Sequence, residues 1–127
     1  MNKTILLTGA TDGIGFETAK LLANAGHTLL LHGRSQDNLE RTQAELKRLQ
    51  PDVAVDLYRA DLSRLDDVEA LATAVAANHP SLDVLINNAG VFKTPHTVTD
   101  DGYDVRFMVN TVAPYLLTQK LLPLMPG

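Results

Sequence analysis

The chain has 127 residues, a length that fits one domain and excludes a second one of ordinary size. With 45% hydrophobic and 20% charged residues, the composition is typical of a globular protein and excludes a disordered or collagen-like chain. The absence of cysteine excludes disulfides and thiolate metal sites and favours the cytoplasm, while a net charge of −4 argues against nucleic-acid binding.

Apolar segments with strand spacing alternate with segments of helical spacing along the chain. The predicted strands cover residues 3–8, 28–32, 53–58 and 82–86, and the predicted helices cover residues 16–25, 36–49, 65–78 and 103–122. Ser35 and Ser63 are predicted N-caps, Gly26 ends the first helix, and Pro114 predicts a kink in the last one. Residues 88–101 lack periodicity and predict a loop. None of the apolar runs approaches the roughly 18 residues of a membrane span.

This alternation predicts an α/β fold with one domain over residues 1–127. Strands joined by helices form parallel sheets that are covered on both faces. We expect a Rossmann-type doubly wound sheet with strand order 3-2-1-4.

Glycine and polar clusters directly follow each predicted strand. They are Gly9–Gly15, Gly33 with Arg34, Asp61, and Asn87–Gly90. Because the carboxyl ends of parallel strands meet at one edge, these clusters predict a ligand crevice there.

The segment Thr8–Gly15 is the strongest of these clusters. Its glycines permit a tight turn and close approach of a pyrophosphate to the amides and dipole of a helix N-terminus. Its spacing, Gly-x-x-x-Gly-x-Gly, departs from Gly-x-Gly-x-x-Gly. A glycine-rich turn with a purely structural role is the alternative.

Two charged residues are candidates for contacts with a bound dinucleotide. An NAD site places an acidic residue at the end of the second strand, where Gly33 stands, whereas the next residue, Arg34, suits a 2′-phosphate and favours NADP over NAD. A solvated surface arginine is the alternative. Asp61 either accepts a hydrogen bond from adenine or closes the turn before the next helix.

Taken together, these motifs resemble those of the short-chain dehydrogenase/reductase family. The turn Thr8–Gly15, the pair Asp61-Leu62, the segment Asn87–Gly90 and Asn110 match family motifs in order and spacing. The segment Thr99–Tyr103 is similar to the retinol dehydrogenase and protochlorophyllide reductase branch.

The resemblance implies a role for each matching residue. The implied cofactor-binding residues are Thr8, Gly9, Thr11, Asp12, Gly13, Ile14 and Gly15 at the pyrophosphate, Arg34 at the 2′-phosphate, Asp61 and Leu62 at the adenine, and Asn88, Ala89 and Gly90 toward the ribose and nicotinamide. Asn110 corresponds to the active-site asparagine of a water-linked proton path. A buried asparagine bonded to backbone inside a helix is the structural alternative. The implied activity is NADP(H)-dependent hydride transfer to or from a hydrophobic carbonyl or alcohol.

One departure from the family concerns the proton-transfer residues. The family uses a Ser and a Tyr-x-x-x-Lys, but Tyr58, Tyr103 and Tyr115 are followed four places later by Leu, Phe and Gln. The resemblance therefore implies the N-terminal half of such an enzyme, inactive alone, and the sequence downstream of residue 127 would test this. It also implies a sheet that is incomplete at its C-terminal side, with the fourth strand as an exposed apolar edge. A non-catalytic nucleotide-binding or regulatory module is the alternative.

Two further expectations concern metals and partners. His27, His32, His79 and His96 show no ligand spacing, so no metal is expected. The exposed strand edge and the last helix favour a homo-oligomer.

Overall fold

The computed structural model describes residues 2–11, 13–90 and 108–125, and its centre is a four-stranded parallel sheet. The strands are β1 (Thr4–Leu7), β2 (Thr28–Gly33), β3 (Val55–Arg59) and β4 (Val84–Ile86), and the α-helices are α1 (Gly13–Asn24), α2 (Gln36–Leu49), α3 (Leu65–Asn78) and α4 (Ala113–Leu121). The strand order is β3-β2-β1-β4, which confirms the predicted doubly wound α/β sheet.

The two faces of the sheet pack against different helices because strand side chains alternate. Leu6 of β1 and Leu30 of β2 are paired in register and belong to a cluster with the buried side chains of α3 and α4. Their neighbours Leu29 and Leu31 belong to a second cluster with α1 and α2. Two layers of helices therefore enclose the sheet.

Two of the predicted helix boundaries are confirmed, and one is wrong. The Ser35 hydroxyl accepts the Asn38 N–H at 3.2 Å, as expected of an N-cap. Gly26 adopts a φ of 87° just past α1. Ser63 does not cap α3: its hydroxyl donates to the Asp61 carboxylate instead, and Arg64 occupies the N-cap position without a side-chain cap.

β1 is shorter than predicted at both ends, and β3 and β4 begin later than predicted because other hydrogen bonds compete for their first residues. The Val53 N–H donates to the Gln50 carbonyl at 3.0 Å, so it closes the turn after α2 and β3 begins at Val55. The Leu82 N–H donates to the Leu124 carbonyl at 3.0 Å, and β4 begins at Val84.

The last helical segment departs from a regular α-helix. A π-helical turn over Met108–Val112 precedes α4, Pro114 lies in the first turn of α4, and a 3₁₀ turn follows at Leu122–Leu124. The first turn tolerates proline because its N–H needs no helical acceptor there. The start of this predicted helix, most of the predicted loop and the Thr99–Tyr103 motif lie outside the described residues.

Among the residues that the structure describes, no helix is long and apolar enough to cross a membrane.

Candidate functional site

The glycine-rich turn after β1 is folded back on itself. Gly9 and Gly13 have φ values of 64° and 56°, in the left-handed region that favours glycine. A Cβ placed on Gly15 would overlap the Gly9 carbonyl oxygen and lie 2.6 Å from the Asn88 side-chain nitrogen. The first turn of α1, whose amides have no acceptor within the helix, therefore begins directly at the carboxyl edge of the sheet.

The segment after β4 forms hydrogen bonds with the end of β1 and the beginning of this turn. The Thr8 hydroxyl accepts the N–H groups of Asn88 and Ala89, both at 3.0 Å, and the Asn88 side-chain nitrogen donates to the Gly9 carbonyl at 3.0 Å. A Cβ on Gly9 would lie 2.8 Å from Ala89 Cα. The polar groups of Asn88 thus serve to join β1 to β4, leaving Ala89 and Gly90 along the edge.

The end of β2 is crowded at Gly33, the position where an NAD site carries a carboxylate. A Cβ on Gly33 would lie 2.8 Å from the Thr11 methyl group and 3.2 Å from the Leu39 side chain. Arg34 follows and is exposed, and its carbonyl accepts a hydrogen bond from Arg59 Nε at 3.2 Å. Within the described residues the Arg34 guanidinium forms no ion pair, so its charge is available to an anion.

Asp61 closes the turn after β3. Its carboxylate accepts the Ser63 N–H at 2.9 Å and the Ser63 hydroxyl at 2.7 Å, which is the structural role considered for it. Burial raises the pKa of the Asp61 carboxyl, but the Ser63 hydrogen bonds and the charges of Arg34 and Arg64 outweigh burial and leave the pKa below its ordinary value. The group is therefore an ionised acceptor. The Leu62 side chain is buried in the core, so a contact with adenine would involve its backbone.

Asn110 lies in the π-helical turn before α4, beside the segment that follows β4. A Cβ placed on Gly90 would lie 3.6 Å from the Asn110 side-chain oxygen. Its side chain is exposed, which differs from the buried helical asparagine considered as the alternative. π-Helical turns are common at functional sites because they reorient a side chain.

Ile14 is the most exposed large apolar residue among those described. Its side chain is 78% exposed in the first turn of α1. An apolar side chain at this position offers a surface to a ligand that lies across the edge.

The structure thus brings most predicted residues to one edge of the sheet. The carboxyl ends of the strands and the start of α1 carry Thr8, Gly9, Thr11, Gly13, Ile14, Gly15, Arg34, Asp61, Leu62, Asn88, Ala89 and Gly90, and Asn110 faces Gly90. Asp12 lies outside the described residues.

One contributor that the sequence reasoning missed is His32. It is 2% exposed, and its ring accepts the Gly9 N–H and contacts the Ala60 carbonyl. The available signal was a single histidine next to glycine at the end of an otherwise apolar strand.

The chain is similar to proteins of one family over nearly its whole length. The family model described as short chain dehydrogenase matches residues 3–127. The short chain dehydrogenase resG of Aspergillus sclerotiorum is 40% identical over 98% of this chain and 35% of its own length. Human retinol dehydrogenase 13 is 35% identical over 94% of this chain and 36% of its own length.

Solved structures agree with this similarity. A metagenomic short-chain oxidoreductase in complex with NADP superposes with a TM-score of 0.80 at 34% identity, over 95% of this chain and 55% of the other. A short-chain dehydrogenase from Sphingobium yanoikuyae in complex with NADPH gives 0.80 at 32% identity, over 95% and 47%. The chain therefore spans about a third of the length of these curated relatives and about half of these solved chains.

Proposed function

The chain belongs to the short-chain dehydrogenase family, and from this premise we propose that it forms the NADP(H)-binding part of an oxidoreductase. The observation that carries the proposal is the close packing of Gly9, Gly15 and Asn88 at the start of α1, with Arg34 exposed at the end of the next strand. This cradle leaves main-chain amides, a helix dipole and one guanidinium along a single edge.

The glycine turn suits a pyrophosphate for steric and electrostatic reasons. Because glycines line the turn, phosphate oxygens can approach the backbone closely, and the amides at the start of α1 donate to them. We assign Gly9, Gly13, Ile14 and Gly15 to this part of the cofactor, with Thr8, Thr11 and Asp12 in the same segment.

Arg34 is assigned to the 2′-phosphate that distinguishes NADP from NAD. The glycine at position 33 supports this assignment, because it supplies no carboxylate for the ribose hydroxyls of NAD, and Thr11 and Leu39 crowd the space next to it. The solved relatives with NADP or NADPH support the same choice.

The remaining predicted residues are assigned along the same edge. Asp61, an ionised acceptor, and the backbone of Leu62 would receive the adenine. Asn88 holds the turn, and Ala89 and Gly90 would line the side toward the ribose and nicotinamide. Asn110, beside Gly90, would keep a water-linked proton path.

The reaction proposed for the whole protein is hydride transfer to or from a hydrophobic carbonyl or alcohol. Bound nicotinamide supplies or accepts the hydride, and the residues of this chain bind and orient the cofactor. Relatives named as retinol dehydrogenase 13 and as a bulky-bulky ketone specific alcohol dehydrogenase support this substrate class. The 127 residues contain no Tyr-x-x-x-Lys, so we propose that they do not complete proton transfer alone.

The test is a titration with NADPH and NADH followed by nicotinamide fluorescence, using Arg34→Ala and the matched control Arg48→Ala. Arg48 is an exposed arginine at the opposite end of α2. We expect Arg34→Ala to weaken NADPH binding about tenfold or more, because a charge-assisted bidentate contact is lost, and to leave NADH binding within about twofold. Equal loss for both nucleotides would remove Arg34 from the 2′-phosphate site.

A non-catalytic nucleotide-binding module is the second candidate, favoured by the missing Tyr-x-x-x-Lys. Both candidates predict that these 127 residues bind NADPH without oxidising it, so the coding sequence downstream of residue 127 separates them. A Ser and a Tyr-x-x-x-Lys in frame would support the oxidoreductase, and a stop codon would support the module.

Self-association and location stay predictions. Tyr115 and Leu122 are 68% and 50% exposed and favour a homo-oligomer, which sedimentation tests directly. A cytoplasmic location rests on the lack of cysteine.

A further inference from the structure

His32 is a buried polar side chain between two distant segments of the site edge. Its ring lies on β2, with Nδ1 3.1 Å from the Gly9 nitrogen and Nε2 2.9 Å from the Ala60 carbonyl oxygen. Gly9 is the first glycine of the turn after β1, and Ala60 directly precedes Asp61.

These two hydrogen-bond partners determine the protonation state and the tautomer of the ring. A backbone N–H can only donate and a carbonyl can only accept, so Nδ1 must be the acceptor and Nε2 must carry the proton. The ring is therefore neutral. Burial lowers the pKa of His32, opposed by the hydrogen bond to Ala60 and by the nearby charge of Asp61, so the neutral form is the stable one near pH 7.

The bond to Gly9 also changes how the turn can use its amides. Because the Gly9 N–H points at the imidazole, it is not available to a phosphate, and Gly9 contributes conformation rather than a donor. A glycine at φ 64° has many competing conformations in a free chain, so an acceptor that holds its amide reduces the entropy lost when a ligand binds.

We propose that His32 is a positioning residue that holds the glycine turn in its ligand-ready conformation by accepting the Gly9 N–H, with the Ala60 carbonyl fixing the tautomer. The effect on nucleotide affinity rests on the proposed function, whereas the effect on the turn does not.

Two substitutions of His32 test its two hydrogen bonds separately. In His32→Asn a side-chain oxygen replaces Nδ1 and can still accept the Gly9 N–H. In His32→Gln the amide reaches the Nε2 position, so it can donate to Ala60 but leaves Gly9 without its acceptor. Both variants replace the titratable ring by a neutral amide, and they differ by one methylene and in which hydrogen bond the amide can retain.

The first measurement is amide hydrogen exchange of Gly9 by NMR, without nucleotide. We expect exchange in His32→Asn within about threefold of the unsubstituted chain and exchange in His32→Gln at least about tenfold faster, as for the loss of one buried hydrogen bond. Similar exchange in the two variants would overturn the proposal.

The second measurement is the Kd for NADPH, with thermal unfolding recorded on the same samples. We expect His32→Gln to bind about tenfold more weakly and His32→Asn to retain affinity within about threefold. If the two variants unfold alike and bind NADPH alike, His32 serves only stability and the proposal is wrong. If the unsubstituted chain binds no NADPH, the proposed function fails, and the Gly9 exchange contrast still decides whether His32 positions the turn.

Discussion

The turn after β1 and the turn after α1 both contain a glycine at positive φ, but their surroundings differ. Gly9, with φ 64°, lies where a Cβ would come within 2.8 Å of Ala89 Cα. Gly26, with φ 87°, has no heavy atom within 4 Å of the corresponding position among the described residues. The first glycine is required by packing between distant segments, whereas the second is required only by the backbone conformation of a helix end.

Some of the hydrogen bonds at the two ends of the sheet also differ in their exposure to water. At the amino end of the sheet, Gln50 donates to Asn24 and Thr28 donates to Asn2 in exposed pairs. At the carboxyl edge, the bonds from the Asn88 segment to Thr8 and the Gly9 carbonyl are partly buried. When an exposed hydrogen bond is broken, water can bond to the freed groups. Removing a partly buried hydrogen bond at the carboxyl edge should therefore lower the free energy of unfolding more.

Gly15→Ala should lower the free energy of unfolding more than any other substitution considered. The new Cβ would overlap the Gly9 carbonyl, so β1 and α1 would have to separate, and we expect a loss of more than about 4 kcal/mol in the free energy of unfolding. Urea unfolding followed by circular dichroism measures this loss. Gly90→Ala is the control, since within the described part of the chain its Cβ would meet only the Asn110 oxygen, at 3.6 Å. A small effect of Gly15→Ala would show that the turn adapts.

Thr8→Val should have the next largest effect. It keeps the shape of the side chain but leaves the N–H groups of Asn88 and Ala89 without their acceptor, a cost of about 2–4 kcal/mol for two partly buried donors. Thr42→Val is the matched control because the buried Thr42 hydroxyl only donates to the Asn38 carbonyl within α2. Equal losses in the two variants would contradict the comparison.

Acid should weaken the site edge through His32. Its pKa is lowered in the folded chain, so the unfolded chain binds the proton more readily once the pH falls below the ordinary value of 6.5. The free energy of unfolding should therefore be constant for this group above that pH and fall below it by up to about 1.4 kcal/mol per pH unit, until the folded pKa is reached.

The control for this pH effect is His32→Asn, which cannot titrate. Unfolding curves of both chains between pH 4.5 and 7.5, roughly bracketing the ordinary histidine pKa, should show a shallower slope in the variant. Asp61 is the charged group that acts on the ring within the described residues, so Asp61→Asn should steepen the loss. Identical slopes for the unsubstituted and variant chains would rule out His32 as the source.

Gly26→Ala should have the smallest effect. The side chain meets open space, so only the left-handed conformation is penalised, by about 1 kcal/mol. NADPH affinity should stay unchanged in the titration above, because this turn lies at the other end of the sheet. If Gly26→Ala lowered the free energy of unfolding more than Thr8→Val does, the amino end of the sheet would be the more sensitive end, and the comparison would be wrong.

Much of the architecture follows from local patterns. The apolar runs around Leu6, Leu30 and Leu85 predicted buried parallel strands, and the helical spacing between them predicted the crossovers and the strand order. Ser35 and Gly26 marked helix ends because capping depends on residues only a few positions apart.

The details that differ depend on contacts between separated segments. β4 begins late because Leu82 bonds to Leu124, and Ser63 fails to cap α3 because the Asp61 carboxylate binds its hydroxyl. Neither competitor is visible in the periodicity of the strand or helix itself. The same holds for His32. Its hydrogen bond with the Gly9 N–H joins residues 23 positions apart, and no local sequence pattern indicates it.

By itself, the sequence determined the order of strands and helices and placed the glycine, arginine, aspartate and asparagine clusters at one edge of the sheet, because periodicity and turn chemistry are local properties. Only the tertiary structure decided that Gly15 lies against Gly9 and Asn88, that Thr11 and Leu39 crowd Gly33, and that His32 accepts the Gly9 N–H. These features are distances between residues up to about 80 positions apart in the chain, and packing sets them rather than any one segment.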